Sequence, residues 1–154
     1  MNLALPRKCL LNTSVTCLTF EEQVMLMLRW AKTRESKSVC LANVRTLMEA
    51  YWDHQFAQIL EKADMVTPDG MPLVWMLKKL GINNQNRVAG LDVFINLCEL
   101  AQQSQIGIYF VGSEHSVLTK MKRRLETEYP ILQIAGMDDL PNITIEDVVE
   151  NLDT

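Results

Sequence analysis

An α/β domain, with a mainly parallel sheet covered by helices on both faces, is the fold class this sequence predicts. Two observations predict it. Short apolar or β-branched runs alternate with amphipathic helical runs along the 154 residues, the order that generates strand–helix–strand units. Helix-start signals stand at the front of helical runs, with Thr19–Glu22 and Thr144–Asp147 both in capping-box spacing. The length suits one domain, residues 1–154, with a core of its own.

The elements follow in order. KCLLNTSVTCLTF reads as one or two short strands with a turn at Asn12, Thr13 and Ser14. Thr19 caps the helix FEEQVMLMLRWAKTR, which places Val24, Leu28 and Ala31 on one side, its methionines serving as core filler. SKSVCLAN is a strand ending at Asn43. VRTLMEAYW is a helix, and HQFAQILEKAD is its continuation or a second one. MVTPDG is a short strand running into a turn. MPLVWMLKKLG is a helix with Pro72 in its first turn and Gly81 just past its end.

INNQNRVAGLD is a polar loop tightening on Gly90, and Asp92 is placed to cap the amphipathic helix DVFINLCELAQQSQ. IGIYFVG has the look of the clearest buried strand. Ser113 caps the helix EHSVLTKMKRRLETEY, with Pro130 after its end; ILQIAG is a further strand and TIEDVVENL a last helix. Ligands in such sheets bind beyond the carboxyl ends of the strands. Three loops occupy that place: after Asn43, from Thr67 to Gly70, and after Gly112.

Composition narrows the function. The formal charge is -4 and the basic residues are scattered; their densest cluster, KMKRR, is soon followed by Glu126 and Glu128. That is a solvated helix face, and no nucleic-acid partner is expected. No run approaches the roughly 18 uninterrupted apolar residues of a membrane span. The opening MNLALPRKCLLNTS is broken early by Pro6, Arg7 and Lys8, so no cleaved signal peptide is expected. Cys9, Cys17, Cys40 and Cys98 form no C-x-x-C pair, and only His54 and His115 could join them as ligands, so no zinc site is expected. Cys9, Cys17 and Cys40 lie in or beside apolar runs, as reduced core residues of a cytosolic protein do.

None of the six glycines has dinucleotide or P-loop spacing, and there is no G-x-S-x-G. The acidic pair in MDDL has no further ligand at metal spacing and reads as a solvated turn. Asp69 remains. Pro68 fixes the backbone before it and Gly70 lets the chain turn after it. Two readings stand: a plain turn or helix cap, and a carboxylate held on rigid backbone at the rim of an apolar cleft, partly desolvated as a general base requires.

Four stretches occur in order and at suitable spacing: ANV at 42–44, ADMVTPDGMPLVW at 63–75, RVAGLD at 87–92 and IYFVGS at 108–113. Together, over roughly residues 8 to 137, they resemble the WecG/TagA/CpsF glycosyltransferases (glycosyltransferase family 26). The resemblance implies a Rossmann-like cytoplasmic enzyme of cell-surface polysaccharide or teichoic acid biosynthesis, peripheral to the inner face of the membrane. It implies transfer of an N-acetylhexosamine, N-acetylmannosamine-like, from a UDP-sugar donor to a polyprenyl-diphosphate-linked sugar acceptor. The expected reaction inverts the anomeric centre and needs no cofactor or bound metal.

By motif, Asp69 matches the family's proposed base. Thr67 would line the same pocket, and Asn43 matches the pocket asparagine. Arg87 would face diphosphate or the charge developing on the leaving group. Gly90 would permit close backbone approach, Asp92 would hold the loop or cap the next helix, and Gly112 would let nucleotide approach the end of its strand.

The sequence also departs from the family's pattern. Leu41 stands where many members carry threonine, two residues before the asparagine. DDLPNIT replaces an aromatic, proline-rich loop. A further strand with a G-x-P-x-Q-E motif and a membrane-associating C-terminal segment do not follow. The chain is therefore expected to be the N-terminal two-thirds of such an enzyme, with little or no transferase activity by itself and membrane contact only through the segment it lacks. A non-catalytic nucleotide-binding or oligomerising fragment is the alternative, and a homo-oligomer is left open.

Overall fold

In the computed structural model, which describes residues 5–139, the chain is mixed α/β and forms two compact units divided between Leu97 and Cys98. The expected helix TIEDVVENL lies outside the described residues. In the first unit, β1 (Arg7–Leu10) and β2 (Thr13–Thr16) form an antiparallel hairpin. The turn sits one residue earlier than the sequence suggests, at Leu11 and Asn12, with φ of 47° and 65°. Two successive left-handed residues match the twist of a two-residue hairpin, which fixes the register Leu10 to Thr13.

Helix α1 (Phe20–Thr33) has the expected capping box: Thr19 accepts from the Glu22 amide while Glu22 accepts from the Thr19 amide. Its buried residues are Gln23, Val24, Leu28 and Trp30, whereas Ala31 is exposed. Strand β3 (Val39–Ala42) leads into α2 (Val44–Trp52), then α3 (His54–Lys62). Asp53 ends one helix and caps the other, its carboxylate accepting from the Gln55 and Phe56 amides.

Strand β4 (Met65–Pro68) pairs with β3 in parallel, Leu41 opposite Thr67 and Ala42 opposite Pro68. Every residue of β4 is buried. The hairpin lies alongside β4, joined where the Val66 amide donates to Thr16 Oγ1 (3.1 Å). Arg7 donates to the carbonyls of Ala63 and Asp64 at 2.8 and 2.6 Å, placing a cation at the C-terminus of α3, where the helix dipole favours it. Leu10, Val15, Ala42, Leu47, Ala63, Val66, Leu73 and Leu77 form the core between these elements. Cys17 and Cys40 pack against it, and burial pushes both thiols up from their ordinary pKa. Cys9, expected inside, is exposed.

Helix α4 (Met71–Lys79) has Pro72 in its first turn. Its end is a Schellman motif: the Gly81 amide donates to Lys78 O and the Ile82 amide to Leu77 O, both at 3.0 Å. Gly81 takes φ of 91°, the conformation that makes glycine the fitting residue there. Helix α5 (Gly90–Ser104) opens in this first unit.

In the second unit, β5 (Ile108–Val111) and β6 (Ile134–Asp138) pair in parallel, and α6 (His115–Glu128) connects them. Strand β5 is less buried than its composition suggests, because Tyr109 and Val111 face outward. Strand β6 begins later than ILQIAG predicts and takes in Met137 and Asp138, so MDDL is no simple turn. Asp138 is held there by the Tyr109 hydroxyl, which donates to its carboxylate at 2.6 Å. Ser113 does not cap α6: its φ of 71° is left-handed, whereas a capping residue needs an extended backbone, and Glu114 takes the position.

Candidate active site

The residues singled out at the strand ends of the first unit meet through the backbone. The Asp69 amide donates to Ala42 O at 2.8 Å, tying the end of β4 to the end of β3. The Val88 amide donates to Pro68 O at 3.0 Å, tying the following loop to the same strand. The Asp69 Oδ2 accepts from the Gly90 amide at 3.4 Å. Three separate sequence stretches (ANV, TPDG and RVAGLD) thus converge around one carboxylate.

Asp69 is half-buried and does not cap α4. Gly70 is the N-cap, with φ of 122° and no side-chain cap bond. That backbone turn, nearly closed to residues with a Cβ, frees the Asp69 side chain to point toward α5 instead. There it faces the positive end of a helix dipole and one of the amides that lack partners within the helix.

Asn43 is the N-cap of α2. Its Oδ1 accepts from the Thr46 amide and hydroxyl at 3.1 and 3.2 Å, and the Thr46 hydroxyl accepts from its backbone. The amide nitrogen of the Asn43 side chain donates to no described residue and is exposed, so it is available to a ligand. Thr67, opposite Leu41 in the strand pair, is fully buried, and its hydroxyl has no hydrogen-bond partner among the described residues.

Arg87 is exposed and forms no ion pair among the described residues. It precedes the anchored Val88, so its guanidinium starts from a fixed backbone point beside Asp69. Asp92 is not the cap of α5, because the helix starts two residues earlier, at Gly90; it lies exposed in the first turn. A Cβ on Gly90 would stand 3.5 Å from Leu41 Cδ1 and 3.8 Å from Asp69 Oδ2. A side chain at Gly90 would therefore meet both groups at ordinary contact distance. Gly112, in the second unit, has φ of 107° and donates its amide to Asp138 O at 2.9 Å.

Two further residues shape this region, of which sequence reading noted Leu41 only as a departure from the family pattern and missed Gln85. Leu41 forms an apolar wall beside Gly90 and is 42% exposed. Gln85 is buried in the loop before Arg87, donating to Leu18 O and Asn86 O at 2.9 and 2.8 Å. Leu41 carried a signal, its position two residues before Asn43. Gln85 carried none, because INNQNR is polar throughout.

A buried strand β4 paired in parallel with β3, a carboxylate just past its carboxyl end and an exposed arginine on the next loop are the features of an α/β protein, whose ligands bind beyond the carboxyl ends of the strands. The sequence model described as the Glycosyl transferase WecG/TagA/CpsF family matches residues 8–153, and the chain belongs to that family. It is 31% identical over 101 residues to an N-acetylglucosaminyldiphosphoundecaprenol N-acetyl-beta-D-mannosaminyltransferase of Bacillus spizizenii, covering 66% of this chain and 39% of that protein. A Bacillus subtilis protein of the same name is 28% identical over 101 residues, covering 66% and 40%. The aligned part of the chain thus spans well under half the length of these relatives.

Proposed function

We propose that this chain carries the base and leaving-group side of a glycosyltransferase site. The reaction moves an N-acetylmannosamine-like sugar from a UDP donor to a sugar on a polyprenyl diphosphate. The backbone bonds that bring Ala42, Val88 and Gly90 together around Asp69, with the Gly90 amide on its carboxylate, carry the reading. Asp69 takes the proton from the acceptor hydroxyl as that oxygen attacks the anomeric carbon from the face opposite UDP. The bond from that carbon to the UDP oxygen breaks, and the centre inverts. Arg87 offsets the negative charge that collects on the departing diphosphate, so this route calls for no bound metal. The free amide of Asn43 orients substrate, and Gly90 allows it close approach. Thr67 supports the strand beneath, and Asp92 adds an acidic first turn to α5.

The name of the relatives supports the acceptor, since both are said to act on an undecaprenol-linked N-acetylglucosamine. No described helix is long and apolar enough to cross a membrane; we place the site at the inner membrane surface, where such an acceptor resides. Two measurements test the reading. Calorimetric titration should show UDP binding to the chain, weakened in Arg87→Ala. Transfer from UDP-N-acetylmannosamine to a lipid-linked N-acetylglucosamine, assayed in a full-length version of the enzyme, should depend on Asp69. Absence of UDP binding, or transfer indifferent to Asp69→Asn, would overturn it.

A further inference from the structure

We infer that the groove between α2 and α3 is a binding site for the prenyl chain of the lipid-linked acceptor, an inference that rests on the function proposed above. The groove has a volume of about 500 Å³ and is lined by Arg45, Met48, Glu49, Trp52, Asp53 and Phe56. Its charges are already engaged. Arg45 pairs with Glu49 at 2.9 Å, and the Asp53 carboxylate caps α3. What is left for a ligand is apolar: a thioether, an indole and a phenyl ring. Trp52 is 75% exposed, with Tyr51 edge-on to it at 4.9 Å. A large aromatic held open to solvent on a helix is costly to leave uncovered and suits a flexible, methyl-branched hydrocarbon.

Position favours the same occupant. Helix α2 starts at Asn43, directly after the Ala42 carbonyl that holds the Asp69 amide. Met48 and Trp52 lie farther along that helix, Trp52 roughly 14 Å from Asn43 at the helical rise. An acceptor sugar at Asp69 can therefore lay its lipid tail along α2. A second protein copy fits less well, because six residues line the groove against the roughly 20–30 per side of a stable protein interface. An anionic bilayer also fits less well: one arginine against two carboxylates leaves no excess of positive charge to attract it.

The test is a tryptophan-fluorescence titration of the full chain with undecaprenyl phosphate in non-ionic detergent micelles. Empty micelles and phosphatidylglycerol vesicles are the comparisons. A saturable blue shift above the empty-micelle response is expected, lost in Trp52→Phe and weakened roughly tenfold in Met48→Glu, which puts a charge in an apolar contact. If circular dichroism shows Met48→Glu unfolded, Trp52→Ala with dansylated prenyl phosphate as reporter replaces it, with the same loss expected. An equal response to empty micelles or vesicles, unchanged binding by the variant, or self-association abolished by Met48→Glu overturns the inference. UDP titration run in parallel separates the two proposals. UDP binding without prenyl binding sinks only the groove, while loss of both in the wild-type chain sinks the transferase reading.

Discussion

Asp69 reaches from the end of β4 to the first residue of α5, its Oδ2 accepting the Gly90 amide at 3.4 Å. The bond joins positions 21 residues apart and anchors a carboxylate by one oxygen. Asparagine can make the same bond through its own Oδ1 but cannot take a proton from a hydroxyl. Introduced into a full-length version of the enzyme, Asp69→Asn should therefore cut sugar transfer by about a hundredfold or more while the thermal midpoint and UDP affinity stay near wild type. A parallel loss of folding would show that the residue is structural.

Gly70 and Gly90 flank this bond, and they should respond differently to alanine. Gly70 has φ of 122°, where a Cβ strains the backbone, so Gly70→Ala should cost roughly 1–3 kcal/mol by denaturant unfolding. A Cβ on Gly90 meets only ordinary contacts, so Gly90→Ala should cost less than about 1 kcal/mol. Equal losses would contradict the backbone described here.

Gly136 is constrained by its neighbour across the strand pair. A Cβ there would overlap the Tyr109 ring, lying 2.9 Å from Cζ and 3.0 Å from Cδ2. Gly136→Ala should displace the ring and break its bond to Asp138, destabilising the protein by about 1–3 kcal/mol. Tyr109→Ala should relieve the clash, so the double variant should lose less than the sum of the singles.

Asp64 supplies a pH dependence. Its carboxylate accepts from the Ser38 amide at 2.9 Å and from Lys37 at 3.0 Å. Those bonds, the Ser38 amide first, hold its pKa below the ordinary 3.8. A depressed folded-state pKa stabilises the fold above the unfolded value, and that share is lost as pH falls through the folded one. Unfolding free energy should drop below about pH 4, with a shallower slope in Asp64→Asn. Identical slopes would remove Asp64 as the cause.

Local signals made much of the fold legible. The Thr19 capping box, the Pro72 start and Gly81 stop of α4, and the β3–β4 strand ends all depend on neighbours within a few residues. The misread caps had distant causes. Asp92 and Ser113 are good capping residue types, but α5 begins at Gly90, whose amide finds its acceptor in Asp69, far upstream. Ser113 is twisted left-handed where Gly112 donates to Asp138. The site was legible as motifs, since TPDG and RVAGLD stand out in the chain. Their contact was not, because it arises through the Pro68 and Ala42 carbonyls, which every residue type carries. Gln85 was hidden for a related reason: a polar residue in a polar loop gives no sign that it is buried.

The Schellman closure at Gly81 and the Val88–Pro68 bond pin both ends of the segment that carries Arg87. Length thereby becomes a property under constraint in this loop. One residue added or removed would shift the guanidinium's starting point relative to Asp69, even with every named side chain kept. Homologous chains sharing this architecture should tolerate substitutions at the exposed Asn83, Asn84 and Asn86 far more readily than insertions or deletions.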